Sequence, residues 1–163
     1  MAGLNVGGQR GNEEGVPDRG TIVVANDHAG LPLKKELLPV LAELGFRVDD
    51  YGTQDGTSVD YPDYAHRLAE SIASGEHTIG LLLCGSGVGV SIAANRHAGV
   101  RAVVCSEPYS AAMARRHNDA NVLCMGARVV GGGLAREILE AFVEQHFEGG
   151  RHAGRVAKIE LST

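Results

Sequence analysis

Apolar residues return along this chain in two alternating rhythms, as short runs and as longer stretches in which they recur every three or four positions. Residues 21–25, 79–83, 100–104 and 122–125 are short runs rich in Val, Ile and Leu, the composition of parallel strands buried on both faces. Residues 47–51 supply one more strand. Between the strands, Leu33, Leu37, Leu41 and Leu44 recur at helical spacing until Gly45 stops the segment. Tyr61, Ala65, Leu68, Ala69 and Ile72 mark a second helix with Pro62 in its first turn, and residues 88–96 and 108–116 read as further helices. Pro39 lies inside the first helix and, lacking an amide donor, is expected to kink it. The succession predicts five strands and five or more helices in a three-layer α/β/α sandwich, with a five-stranded parallel sheet of Rossmann-like type. Ligands of such folds sit at the carboxyl ends of the strands. Asp27 and His28 follow the first strand, Cys84 the third and Arg128 the fifth, so all four are expected there.

Composition narrows the picture. With 163 residues, 44% of them hydrophobic, the chain has material for one domain with a real core. Residues 1–20 hold six glycines and no aromatic residue, and read as a flexible N-terminal extension ahead of a domain over residues 21–163. Cys84, Cys105 and Cys124 are odd in number and form neither a C-x-x-C pair nor a zinc spacing, so neither disulfide nor metal is expected and a reducing cytoplasm is. No apolar run approaches the ~20 residues of a membrane span, and the N-terminus lacks a secretory pattern. Fifteen Lys and Arg against twenty Asp and Glu give a net charge of -5, which argues against nucleic acid or an anionic membrane as partner. An anionic ligand would have to be met by local arginines. Arg128, Arg151 and Arg155 stand in or after glycine-rich sequence, although ordinary surface charges would look the same.

The chemistry concentrates in residues 81–91, where an apolar strand ends in Cys84 and runs into Gly85-Ser86-Gly87-Val88-Gly89. Backbone amides of such a turn form a nest that favours negative charge on a bound oxygen and on a thiol placed beside it. The segment thus offers a base and an oxyanion stabiliser together. A buried cysteine acting as a small hydrophobe before a common strand-to-helix turn is the plainer alternative. No G-x-x-x-x-G-K-[ST] is present, and the glycines miss the G-x-G-x-x-G spacing of a dinucleotide fingerprint. His28 fits a histidine satisfied at a loop start as well as a site residue. His117 and Asn118 fit a helix C-terminus, with His117 on the dipole and Asn118 left-handed.

Five motifs taken together say more. Asn26-Asp27-His28-Ala29-Gly30, Asp60-Tyr61-Pro62-Asp63-Tyr64-Ala65, Cys84-Gly85-Ser86-Gly87-Val88-Gly89, Arg115-Arg116-His117-Asn118-Asp119-Ala120-Asn121 and Gly149-Gly150-Arg151-His152-Ala153-Gly154-Arg155 closely resemble the B-type ribose-5-phosphate isomerases and their allose- and galactose-6-phosphate relatives, over residues 21 to about 160. The resemblance implies an aldose–ketose isomerase that works through an enediolate without metal or cofactor. It implies Cys84 as the base between carbons 1 and 2, and His117 as the acid-base group that opens the sugar ring. Ser86 and the amides of Gly85, Gly87, Val88 and Gly89 would hold the enediolate oxygen. Asp27 would contact sugar hydroxyls beside Asn118, and His28, Arg128, Arg151 and Arg155 would bind phosphate. A homodimer or higher homo-oligomer with sites between subunits is also implied.

Two positions depart from the family. One branch replaces the cysteine by a glutamate six residues later, where this chain has Val90, so Cys84 is the only base on offer. Ser86 stands where many cysteine-type members carry threonine, which keeps the hydroxyl, and Asn26 is a mild difference without a reason in the sequence. The expected substrate is D-ribose 5-phosphate, converted to D-ribulose 5-phosphate in the pentose phosphate pathway. A six-carbon aldose phosphate, allose 6-phosphate or galactose 6-phosphate, is the nearest rival, because substrate length depends on side-chain placement. A non-catalytic sugar-phosphate sensor would be expected to lack Cys84 or His117, and a thiol redox protein would want a second cysteine close by in sequence.

Overall fold

The structure, a computed structural model, describes residues 16–161. The elements alternate as β1 (Thr21–Asn26), α1 (Leu31–Glu43), β2 (Arg47–Asp50), α2 (Tyr61–Ala73), β3 (Gly80–Cys84), α3 (Val88–Ala94), β4 (Ala102–Val104), α4 (Pro108–Asn118), β5 (Val122–Gly126), α5 (Gly132–Val143) and α6 (Arg151–Val156). All strand pairs are parallel and the order across the sheet is β2-β1-β3-β5-β4. This is the α/β fold that the alternation predicts.

Period-two alternation sends successive side chains of the central strands into two separate cores. Ile22, Val24, Leu81, Leu83, Leu123 and Met125 meet the apolar faces of α1, α4 and α5. Val23, Ala25, Leu82, Cys84, Val122 and Cys124 meet α2 and α3. β1, β3 and β5 are therefore apolar at nearly every position, whereas the edge strand β2 can carry Arg47, Asp49 and Asp50. Burying each of these leucine or isoleucine side chains contributes roughly 1.5–3 kcal/mol, so the two layers outweigh any single polar contact in the fold. Cys84 faces the α2–α3 layer, as Leu82 and Cys124 do.

Several local expectations shift by a few residues, each for a visible reason. The first helix runs unbroken across Pro39; Pro39 and Lys35, whose carbonyl loses its partner, both face solvent, where water replaces the bond. The third ends at Ala94, because the Asn95 side chain turns to bond both the amide and the carbonyl of Ala102 at 2.8 Å. The strand expected over 100–104 shrinks to three residues: Val100 donates to His97 and Arg101 to the Asn121 side chain. The fourth helix extends to Asn118, and Asp119 rather than Asn118 takes the left-handed conformation, with φ 48°. Arg101 holds Asp119 there through its carbonyl and its carboxylate.

Of the expected extension, residues 1–15 lie outside the described residues. Residues 16–20 are tied to the domain, with Asp18 on Arg47 and the Arg19 amide on the Gly45 carbonyl. No helix among the described residues is long and apolar enough to cross a membrane.

Candidate active site

The strand order reverses between β1 and β3, so a crevice opens where β1 ends in Asn26-Asp27 and β3 in Cys84. Register puts Asn26 opposite Leu83, and the Asp27 amide donates to the Leu83 carbonyl at 3.2 Å. On the far side of β3, Cys84 pairs with Gly126, which brings in the start of the following loop. The result is a hollow of about 370 Å³ lined by Asp27, Tyr61, Cys84, Gly85, Ser86, Gly89, Arg128 and Val129. Asp27, Cys84, Ser86 and Arg128, expected from the sequence to share a site, do meet.

The glycine-rich loop is shaped around the sulphur. Gly87 has φ 80°, a conformation that suits glycine, and its amide donates to Cys84 Sγ at 3.1 Å. The Val88 amide points at Ser86 Oγ, 3.3 Å away. Two donors expected to face a bound oxygen thus have partners inside the loop, one of them the thiol itself. Behind the loop stands α3, only seven residues long, so the loop amides rather than a helix dipole set the local field. Gly126 is a residue that motif reading missed: a Cβ there would lie 2.6 Å from the Ser86 backbone, so only glycine lets β5 approach the loop. Tyr61 was also missed as part of the site. It reads as a helix start, and only the packing of α2 on α3 shows its ring over Gly89, 2.7 Å from where a Cβ would stand.

The turn carrying Asp27 and His28 is held from several sides. Asp27 Oδ1 accepts from the Gly30 amide at 2.9 Å. His28 Nδ1 accepts from the Val59 amide at 3.2 Å, which leaves Nε2 to carry the ring proton in the neutral form. Asn26 now has its reason: fully buried, it donates to the carbonyls of Asp27 and Thr53, at 2.8 and 3.3 Å. Lys34, 1% exposed, reaches the same Thr53 carbonyl at 2.8 Å and pairs with Asp50 at 2.9 Å. The turn that carries Asp27 and His28 is thereby splinted to the 50–54 loop.

His117 and Asn118 do not join this hollow within one chain. Helices of a parallel α/β sheet start at the carboxyl ends of the strands and finish at the amino ends, and both residues lie in the last turn of α4. They stand at the opposite pole of the sheet from Cys84, so within one chain Asp27 and Asn118 are not neighbours. Asn118 borders a larger hollow of about 690 Å³ beside Arg101 and the 159–161 tail, remote from the thiol. His117 instead stacks on His152 of α6, ring centroids 4.2 Å apart and planes 7° from parallel. Arg151 and Arg155 project into solvent from the same short helix.

Three of these groups, His117, Glu148 and His152, gather donor atoms within 4.8 Å of one another, the one such cluster among the described residues. Rings only 7° from parallel hold their in-plane lone pairs in separate, nearly parallel planes, whereas a metal needs them to converge. The other thiols lie apart from the hollow. Burial, then Glu107, pushes Cys105 up to about 11, and complete burial raises Cys124 well above the usual thiol range.

The family model described as Ribose/Galactose Isomerase matches residues 22–159. The ribose-5-phosphate isomerase B of Escherichia coli is 53% identical over 133 residues, covering 82% of this chain and 89% of that protein. Among solved structures, the Clostridium thermocellum ribose-5-phosphate isomerase B superposes with a TM-score of 0.83 at 48% identity, covering 85% of this chain and 94% of that one. A ribose 5-phosphate isomerase from Thermotoga maritima gives the same TM-score at 46% identity, covering 86% and 97%.

Proposed function

This chain belongs to the ribose/galactose isomerase family, and we propose that it interconverts D-ribose 5-phosphate and D-ribulose 5-phosphate, with Cys84 as the base. The observation that carries the assignment is the thiol at the end of β3, set in one hollow with Asp27, Ser86 and Arg128. In the open-chain aldose, Sγ takes the proton from C2; the C–H electron pair becomes the C1–C2 double bond, and the carbonyl electrons move to O1. The remaining loop amides and the Ser86 hydroxyl stabilise that enediolate, while the Gly87 amide stays on the thiol. Moving the hydroxyl proton from O2 to O1 and returning a proton to C1 gives the ketose. Asp27 binds sugar hydroxyls, and His28 Nε2 and Arg128 take phosphate oxygens on the Cys84 side. The three free cysteines suit a reducing cytoplasm.

The remaining groups come from a second copy of the chain. His117, Asn118, Arg151 and Arg155 occupy the other pole of the same molecule, so a site that needs both poles must be assembled from two subunits. Exposed apolar side chains at the Cys84 hollow support this: Val129, which lines it, is 60% exposed and Val88, next to Gly89, 49%. In the assembled site His117 opens the sugar ring, Asn118 meets a hydroxyl, and Arg151 and Arg155 complete the phosphate clamp.

The assay that tests the function supplies ribose 5-phosphate and allose 6-phosphate to the purified protein in the presence of a chelator. A clear preference in kcat/KM for the five-carbon sugar is expected; turnover of neither substrate would overturn the assignment. The clamp has its own test. Arg155→Ala should chiefly raise KM for the phosphorylated sugar and leave any slow turnover of free ribose unchanged. Equal losses with both sugars would make Arg155 a structural residue.

A further inference from the structure

We infer that Glu148 is a positioning residue that keeps one shared proton on the stacked pair of His117 and His152. Its side chain stands at the open edge of the stack, with Oε2 3.7 Å from His117 Nε2 and 3.8 Å from His152 Nε2. The carboxylate is fixed in that place from behind. Arg116 donates to Oε1, and the Glu148 amide donates to the Arg116 carbonyl at 3.0 Å. One carboxylate oxygen is thus spent on the arginine and the other is turned to both rings.

Two imidazolium rings face to face at 4.2 Å repel each other, so the pair takes up its two protons in well-separated steps. The first proton has a counter-ion waiting in Glu148, and the second has to overcome the first. The charged groups acting on the pair are Glu148 itself, Arg116 beside it on α4, and Arg151 and Arg155 on α6. Arg136 of α5, the helix packed against α4, is engaged with Glu43 and Glu140 instead. Arg116 first, then the two rings, holds the Glu148 carboxyl below its ordinary range, so it stays charged wherever the imidazoles titrate. His152 is 7% exposed, and its burial, then His117 and Arg151, press it toward the neutral form. His117, at 34% side-chain exposure, is the ring of the pair that solvent and substrate can reach. A proton kept on the stacked pair within reach of substrate is what ring opening requires of an acid, an assignment that rests on the function proposed above.

The test is an NMR titration of the imidazole signals of His117 and His152 in the full-length protein, compared with Glu148→Gln and Glu148→Asp. Glutamine keeps an oxygen for Arg116 but removes the charge, so the upper midpoint of the pair should fall by about one pH unit. Aspartate keeps the charge one methylene further back and should retain most of the wild-type midpoint. A merely structural role predicts that the two variants behave alike. An unchanged or higher midpoint in Glu148→Gln, or equal shifts in both variants, would overturn the inference. The pH profile of kcat/KM then separates this inference from the function: a midpoint that moves without the profile following leaves the proton pair standing and removes His117 from ring opening.

Discussion

Replacing Cys84 by alanine is expected to lower kcat by at least ~100-fold while substrate still binds, measured as isomerase turnover with KM followed in parallel. No other thiol, and no glutamate at position 90, can inherit the proton. Val90, where a glutamate would stand in the other branch of the family, is fully buried in α3 and has no group to titrate. Cys124 lies two positions further back on β5, also facing α2 and α3, but is shut off from the hollow, and Cys105 belongs to the opposite layer. Their thiols, raised by burial, remain protonated at neutral pH. Iodoacetamide should therefore inactivate by alkylating Cys84, more slowly when substrate is present. Activity within a few fold of wild type in Cys84→Ala, or full inactivation with Cys84 unmodified, would remove this residue from the role.

An equally large effect is expected from mixing two dead enzymes. Cys84→Ala and His117→Ala, each inactive when refolded alone, should regain activity when partly denatured and refolded together. Random pairing makes about half the dimers hybrid, and in each hybrid one of two sites receives both wild-type residues, so the rate should approach about a quarter of wild type. The reason is the distance between the poles: Cys84 ends β3 and His117 ends α4, and these are opposite ends of one sheet. Tagging the two chains differently shows whether hybrids have formed. Hybrids without recovered activity would mean that a single chain supplies both groups.

This separation is what the sequence hides. Strand and helix assignments come from local periodicity, and they hold to within one or two residues for β1, β3 and β5 because those strands have no choice but to be apolar. Boundaries fail where a side chain captures a backbone group, as Asn95 does with Ala102 and Arg101 with the Asp119 carbonyl, since such bonds depend on partners outside the element itself. The grouping of Asp27, Cys84 and Arg128 is legible because all three follow strands, and strand ends share one side of a parallel sheet. His117 ends a helix, which the same topology sends the other way. Motif reading places it in the site without saying from which molecule it comes. Tyr61 and Gly126 escape for a different reason: their importance is contact between segments, which neither spacing nor residue type records.

The loop behind Cys84 is stitched to the centre of the sheet. Ala127 donates to the Cys84 carbonyl at 2.8 Å and Arg128 to the Gly85 carbonyl at 3.1 Å, so β5 extends its ladder past its own last residue into the loop that follows β3. Amides in such bonds exchange with solvent only when the sheet itself comes apart, unlike those of the short, solvent-facing α6. The Cys84 side consequently has no melting point of its own: on heating, the loop amides should lose their protection together with the sheet and not before it. The short helix α6, which carries Arg151 and Arg155, is not stitched into that ladder, so it can adjust to a phosphate while the base stays where the strands put it.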